Sequence, residues 1–140
     1  RGWEHKMRVM LDTNVLLSAL LFPSERMNRM MRCIFEDHRL VLSSYVVEEL
    51  GFVVKRKFPT KMDTIDRLLS SMSYEFVYTP QMLDKGSFEI RDPKDYPVLY
   101  TAIVEDVDVL ITGDKDFADV GIERPEILTP AAFMSKYLDN

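Results

Sequence analysis

Short apolar runs that stop abruptly and give way at once to amphipathic stretches recur along this chain, and that alternation limits its fold more than any other feature. Arg8 to Leu11 reads as a short buried strand, and Val15 to Leu21 as the helix after it, ended by Pro23. Met27, Met30, Met31, Ile34 and Phe35 form the apolar stripe of a second helix, with Arg26, Arg29 and Arg32 on its other side. Leu40 to Leu42 is the next strand, followed directly by a helix from about Tyr45 to Lys57 that Ser43 or Ser44 can cap. Thr60 with Asp63 predicts a capping box for a helix whose buried side is Met62, Ile65, Leu68, Leu69 and Met72. Glu75 to Tyr78 is a third strand, and the mixed polar segment from Pro80 to Lys94 reads as a long loop. Val98, Leu99, Ala102 and Ile103 mark another helix, with Pro97 tolerated in its first turn. Val107 to Thr112 and Ile127-Leu128 are the last strands, and Thr129-Pro130 opens a C-terminal helix as N-cap and first residue. Strands alternating with helices predict an α/β fold with a parallel sheet covered on both faces.

The size of the chain suits one such unit. Its 140 residues allow a single domain, expected over 7–140, with a real core. A composition of 46% hydrophobic and 29% charged residues is that of a globular protein. No apolar run approaches the roughly 20 residues that span a bilayer, and Val15 to Phe22 is too short and too deep in the chain for a signal peptide. Cys33 is the single cysteine, so no internal disulfide forms, which fits a reducing cytoplasm. The segment before Met7 lacks periodicity and reads as a remnant foreign to the natural chain, so Trp3 and His5 are given no role. A formal net charge of −5 argues against a generic nucleic-acid binder, whose affinity comes from Lys and Arg, but not against an enzyme that grips phosphates locally.

Acidic residues sit where predicted strands or helices meet loops: Asp12, Glu48-Glu49, Asp95 and Asp114, with Asp116 beside the last. Ligands of open α/β sheets bind beyond the carboxyl ends of the strands. Carboxylates that meet there repel one another unless a cation neutralises them. Asp12 and Asp114 each have the bland reading of a helix cap or a turn residue, with Gly113 allowing a tight turn; two strand-end aspartates together are harder to dismiss. At roughly 100° per residue, Val46, Val47, Leu50, Val53 and Val54 define an apolar face, with Glu48 nearly opposite and Glu49 at its edge. Asp92 competes with Asp95, which lies closer to the helix start and is better fixed. Asp116 serves either as a fifth acid or as a local cap. His38 ends a helix, where a protonated ring is favoured, and no triad or zinc site forms around it. There is no Walker loop and no GxGxxG.

Taken together, Leu11-Asp12-Thr13-Asn14-Val15, Glu49-Leu50, Asp92-Pro93-Lys94-Asp95 and Ile111-Thr112-Gly113-Asp114-Lys115-Asp116-Phe117 resemble the motifs of PIN-domain nucleases, in the family's order and at its usual separations. The resemblance covers nearly all of the chain from Met7 onward and is greatest to prokaryotic toxin components of toxin–antitoxin pairs. It implies a three-layer α/β/α sandwich with a central parallel sheet of about five strands. It also implies a metal-dependent endoribonuclease, with Asp12, Glu49, Asp95 and Asp114 at the acidic positions and Asp116 at a more variable one beside them. Asn14 and Thr112 match polar residues that support the cluster. Mg²⁺ or Mn²⁺ suits such an all-oxygen site better than zinc, with Asp12, Asp95, Asp114 and Asp116 as ligands. Lys115 is placed to meet a phosphate. The partners implied are an RNA substrate, a cognate antitoxin and a second copy of the chain, with Phe52 as a candidate contact for a homodimer; no membrane is implied.

Other classes fit less well. A haloacid-dehalogenase phosphatase needs a second Asp two residues after Asp12, where Asn14 stands. A receiver domain normally carries an acidic pair on its first loop, which here reads Asp12-Thr13-Asn14. A catalytically silent module of the same fold, acting through protein or RNA contacts, is the main rival, although retention of all four acids argues against decay.

Overall fold

A computed structural model describes residues 6–81, 96–114, 117 and 120–139. The elements in chain order are β1 (Arg8–Leu11), α1 (Thr13–Leu21), α2 (Glu25–Asp37), β2 (Arg39–Ser43) and α3 (Ser44–Lys57). After a 3-10 turn (Pro59–Lys61) come α4 (Met62–Ser71), β3 (Glu75–Val77), α5 (Tyr96–Val104), β4 (Val109–Ile111), β5 (Glu126–Leu128) and α6 (Pro130–Tyr137). The strands form one five-stranded sheet in the order β3-β2-β1-β4-β5, and every neighbouring pair is parallel. It is the α/β/α sandwich that the alternation of elements predicts.

The strand sequences explain the centre of the sheet. Val9, Met10 and Leu11 of β1, Leu40 to Leu42 of β2 and Val109 to Ile111 of β4 are all buried. A parallel strand covered on both faces needs such a continuous apolar run rather than an alternating one. Around the sheet α1 packs on α2, α3 and α4, α3 packs on α4 and α5, and α6 packs on α2 and β5. Three helices carry the caps their sequences predict. Asp12, Ser43 and Thr129 accept the amides of Val15, Val46 and Ala132 at the starts of α1, α3 and α6. Among the described residues no helix is long and apolar enough to cross a membrane.

Strand order positions the site. The chain steps outward from β1 to β2 to β3, then returns through α5 to β4 on the other side of β1. The direction of winding therefore reverses between β1 and β4, and a crevice opens outside their carboxyl ends. Asp12 follows β1 and Thr112 follows β4, so both stand on that rim. At the opposite end of the sheet, Arg8 bonds Glu75, the first residue of β3, through two nitrogens, at 3.0 and 2.8 Å, and reaches Glu105 at 3.5 Å.

Several local expectations are corrected. Thr60 does not cap α4: it lies inside the 3-10 turn closed by the Lys61 amide on the Phe58 carbonyl at 2.8 Å, and α4 starts at Met62 with no side-chain cap bond. Pro59 at the head of that turn moves the helix start beyond Thr60. The α4 stripe faces the core as expected, with Ile65 buried and Met62, Leu69 and Met72 half-buried against it, whereas Phe35 of the α2 stripe is exposed because that helix meets the core with a narrower face than its pattern allows. Phe52 is exposed on α3. Beyond Gln81, the polar stretch read as a loop lies outside the described residues.

His38 also differs from expectation. It ends α2, but its Nδ1 accepts the Met7 amide at 3.1 Å, which requires a lone pair and hence a neutral ring. Burial pushes its pKa below the ordinary 6.5 and Lys6 assists, while Asp37 and Asp108 oppose. A depressed folded-state value means that this contribution is complete above about pH 6.5 and is lost as pH falls through the folded value. The expected result is a stability deficit of about 1 kcal/mol at pH 5 relative to His38→Gln, whose amide oxygen can still accept the Met7 amide. Urea unfolding of both proteins at pH 7.5 and pH 5 checks it; an unchanged difference between them would remove the assignment.

Candidate active site

Asp12 is the centre of the rim. Its backbone is extended where β1 ends, with φ −79° and ψ 172°. Its amide bonds the Ile111 carbonyl of β4 at 3.1 Å, so the residue is pinned to the neighbouring strand. One carboxylate oxygen, Oδ1, accepts the Val15 amide at 2.9 Å as the N-cap of α1. The other, Oδ2, accepts the hydroxyl of Thr112. Asp12 is only 8% exposed.

Thr112 joins the two strand ends. Besides donating to Asp12, its Oγ1 accepts the Asp114 amide at 3.0 Å, which fixes the chain as it leaves β4. Asp114 is half-buried. Gly113 has no positive φ, and a Cβ there would meet open space, so the turn does not depend on glycine's conformational freedom as expected.

Glu49 comes to the same rim from α3. Thr13, the residue after Asp12, donates its hydroxyl to Glu49 Oε1, and the Tyr45 phenol donates to Oε2 at 3.4 Å. Glu48 is exposed, and Glu49 is half-buried. The 3.6-residue period therefore separates the two adjacent acids as the helical wheel predicts.

Electrostatics tie the three acids together. Burial raises the Asp12 pKa above its ordinary 3.8, the Thr112 hydroxyl and the Val15 amide pull it back, and the charges of Asp114 and then Glu49 push it up again. A carboxyl group buried beside like charges costs free energy when ionised and invites either a proton or a cation.

The remaining expected residues divide. Asp95, Lys115 and Asp116 lie outside the described residues. Asn14 is exposed, and it is Thr13 that bonds an acid of the cluster. Thr13 and Tyr45 were missed in the sequence reading. The signal for Tyr45 was its i, i+4 spacing from Glu49, which places both on one helix face.

Among the described residues, Asp12, Thr13, Glu49, Thr112 and Asp114 all offer oxygen, the donor that suits a hard divalent cation. Among the described residues no three His, Cys, Asp or Glu side chains converge closely enough to hold a metal.

Comparison with known proteins agrees with this architecture. Residues 8–116 match the family model of the PIN domain. The chain is 24% identical over 147 aligned positions to the uncharacterized protein MJ1680 of Methanocaldococcus jannaschii, covering 94% of this chain and 92% of that protein. Its fold is similar to a chain in the crystal structure of VapBC2 from Rickettsia felis bound to a DNA fragment from their promoter. The TM-score there is 0.67 at 22% identity, over 87% of this chain and 97% of that one. It is also similar to a chain in the structure of FitAcB from Neisseria gonorrhoeae, with a TM-score of 0.61 at 21% identity, over 88% and 98% of the two chains. A topological switch point between β1 and β4 with a buried aspartate on its rim, and a family match over most of the chain, lead to one assignment: the protein belongs to the PIN-domain family.

Proposed function

We propose that the protein is a metal-dependent endoribonuclease that hydrolyses RNA phosphodiester bonds, and that it is the toxin of a toxin–antitoxin pair. The observation that carries the nuclease reading is the buried Asp12 carboxylate, held on the switch-point rim by Thr112 and repelled there by Asp114 and Glu49. Membership of the PIN family and the likeness to chains from VapBC2 and FitAcB support the toxin reading and an antitoxin as partner.

Asp12 and Asp114 would hold Mg²⁺ or Mn²⁺, with Asp95 and Asp116 completing the set. The ion, when bound, supplies a Lewis acid that polarises the scissile phosphate and acidifies water. Thr112 and the Val15 amide keep the Asp12 carboxylate charged and oriented against the cost of its burial. Glu49, fixed through both oxygens, takes the proton of the water that attacks phosphorus; the P–O bond on the far side breaks, and its oxygen is protonated by solvent. Lys115 would meet a phosphate oxygen. The run Lys55-Arg56-Lys57 is exposed and closes α3, about 9–12 Å along the helix beyond Glu49. That run complements the helix dipole.

The test is cleavage of end-labelled RNA by purified protein with Mn²⁺ and with EDTA, beside calorimetric titration of Mn²⁺. Saturable binding together with metal-dependent cleavage is expected. Metal binding with every RNA left intact would replace the nuclease with a binding module.

A further inference from the structure

We propose that Thr13 and Tyr45 are positioning residues that aim the Glu49 carboxylate at the attacking water, a task separate from metal binding. The inference rests on the nuclease reading and adds to it a division of labour among the hydroxyl groups of the rim.

Glu49 is gripped from two elements. Thr13 reaches Oε1 from the first residue of α1, and Tyr45 reaches Oε2 from one turn earlier on α3. Thr13 is itself buried, and the Asp12 cap fixes its backbone. The orientation of Glu49 is thereby referred to the same turn that carries Asp12. A carboxylate has about four lone-pair positions, so two hydroxyl donors set its plane and leave a lone pair on each oxygen to accept from water.

The Tyr45 end is anchored as firmly. Its amide donates to Thr79 Oγ1 at 3.3 Å, and the Thr79 amide donates to Ser44 Oγ at 2.9 Å. The Thr101 hydroxyl of α5 lies 3.0 Å from Thr79 Oγ1 and 2.7 Å from the Pro97 carbonyl. A ladder of hydroxyl groups thus runs from α1 through Glu49 and the start of α3 to the end of β3 and the first turn of α5.

The separation from metal binding has its own observations. Thr112, not Thr13, serves Asp12 and Asp114. Among the described residues, Asp12, Glu49 and Asp114 do not close into a three-ligand group. A general base must sit within reach of its water and be held there, which the two hydroxyl groups accomplish without requiring a bond between Glu49 and the ion.

The experiment is a double-mutant cycle in RNA cleavage, with Mn²⁺ titration and melting on every protein. Glu49→Gln is expected to lower kcat by about 100-fold or more. Thr13→Val is expected to lower it about 10-fold and Tyr45→Phe about 3-fold, with KM, Mn²⁺ affinity and melting temperature close to wild type. Thr13→Ser should recover most of the lost rate. In the Glu49→Gln background Thr13→Val should cost nothing further, because it acts only through Glu49. Two results overturn the proposal: the full 10-fold loss persisting in that background, or Mn²⁺ affinity falling in Thr13→Val as kcat does.

A crystal structure with Mn²⁺ provides a readout free of activity. Glu49 should stay bonded to Thr13 and Tyr45 in the wild type and turn away in Thr13→Val. A Glu49 oxygen within about 2.2 Å of the ion would make it a ligand and end the proposal while leaving the nuclease reading intact. A wild type that binds Mn²⁺ but cuts no RNA ends the nuclease reading, and with it the reaction that Glu49 is positioned for. A wild type that binds no Mn²⁺ ends both.

Discussion

Asp12→Asn is expected to abolish metal-dependent RNA cleavage and, in the metal-free protein, to raise the melting temperature. The two effects have one cause. Asp12 is nearly buried, and Asp114 and Glu49 stand close enough to repel it, so its ionised form is strained until a cation is present. Asparagine fills the same space, caps a helix as well as aspartate, and can keep partners at both the Val15 amide and the Thr112 hydroxyl. Losing a charge at the N-terminus of α1 costs about 0.3–1 kcal/mol of dipole stabilisation. Burial, the largest influence on this carboxyl group, acts in the other direction. A net gain of about 3–5 °C in EDTA is expected, on the scale of one modest stabilising change in a domain of this size.

The pH dependence gives the gain its signature. Because the folded-state pKa of Asp12 lies above 3.8, its contribution to stability is complete below about that pH and is lost as pH rises through the folded value. The advantage of Asp12→Asn should therefore open with rising pH and close in acid. Added Mn²⁺ should reverse the order, stabilising the wild type by mass action and leaving the variant unmoved. Cleavage should fall by roughly three orders of magnitude. A variant that melts below wild type in EDTA at pH 7.5, or that gains stability from Mn²⁺, would show that Asp12 is only a helix cap.

Thr112→Val is expected to weaken Mn²⁺ binding by about 10–100-fold, the usual cost of removing a partner that orients a metal ligand. Valine has nearly the volume of threonine, so the rim keeps its packing. What is lost is one hydroxyl that donates to Asp12 Oδ2 and accepts the Asp114 amide. That hydroxyl holds the Asp12 pKa down. Without it a proton competes better for the carboxylate, so the affinity gap should widen as pH falls. Calorimetric titration at pH 8 and pH 6 reads this directly; equal losses at both would mean that Thr112 acts through geometry alone. The loss of the Thr112 acceptor for the Asp114 amide should also cost about 1–2 kcal/mol in unfolding.

How much of this was legible beforehand depends on the range of the interaction responsible. Ser43 and Thr129 are read from a few neighbouring residues, because a cap satisfies amides two or three positions away. Glu49 is distinguished from Glu48 by helical periodicity alone. Thr60 misleads because its sequence matches a capping box, while the 3-10 turn that displaces it is set by Pro59 and the geometry in which Phe58 ends α3. Phe35 misleads because periodicity gives the direction of a helix face but not how wide a neighbour covers it. His38 misleads because its hydrogen-bond partner, Met7, is 31 residues away.

The sequence by itself determined the parallel α/β architecture, the caps that open α1, α3 and α6, and a buried first strand that leads into an acid. Each of these follows from period, polarity and the unpaired amides of a helix start, all local properties. The strand order β3-β2-β1-β4-β5 was decided only by the tertiary structure. A parallel crossover carries no local record of which strand it will lie against, since side chains and backbone find their partners only when the sheet assembles. That assembly puts Thr112 against Asp12 across 100 residues of chain and Thr13 against Glu49 across 36. It turns scattered carboxylates into one rim, because burial and mutual repulsion exist only once the strand ends meet.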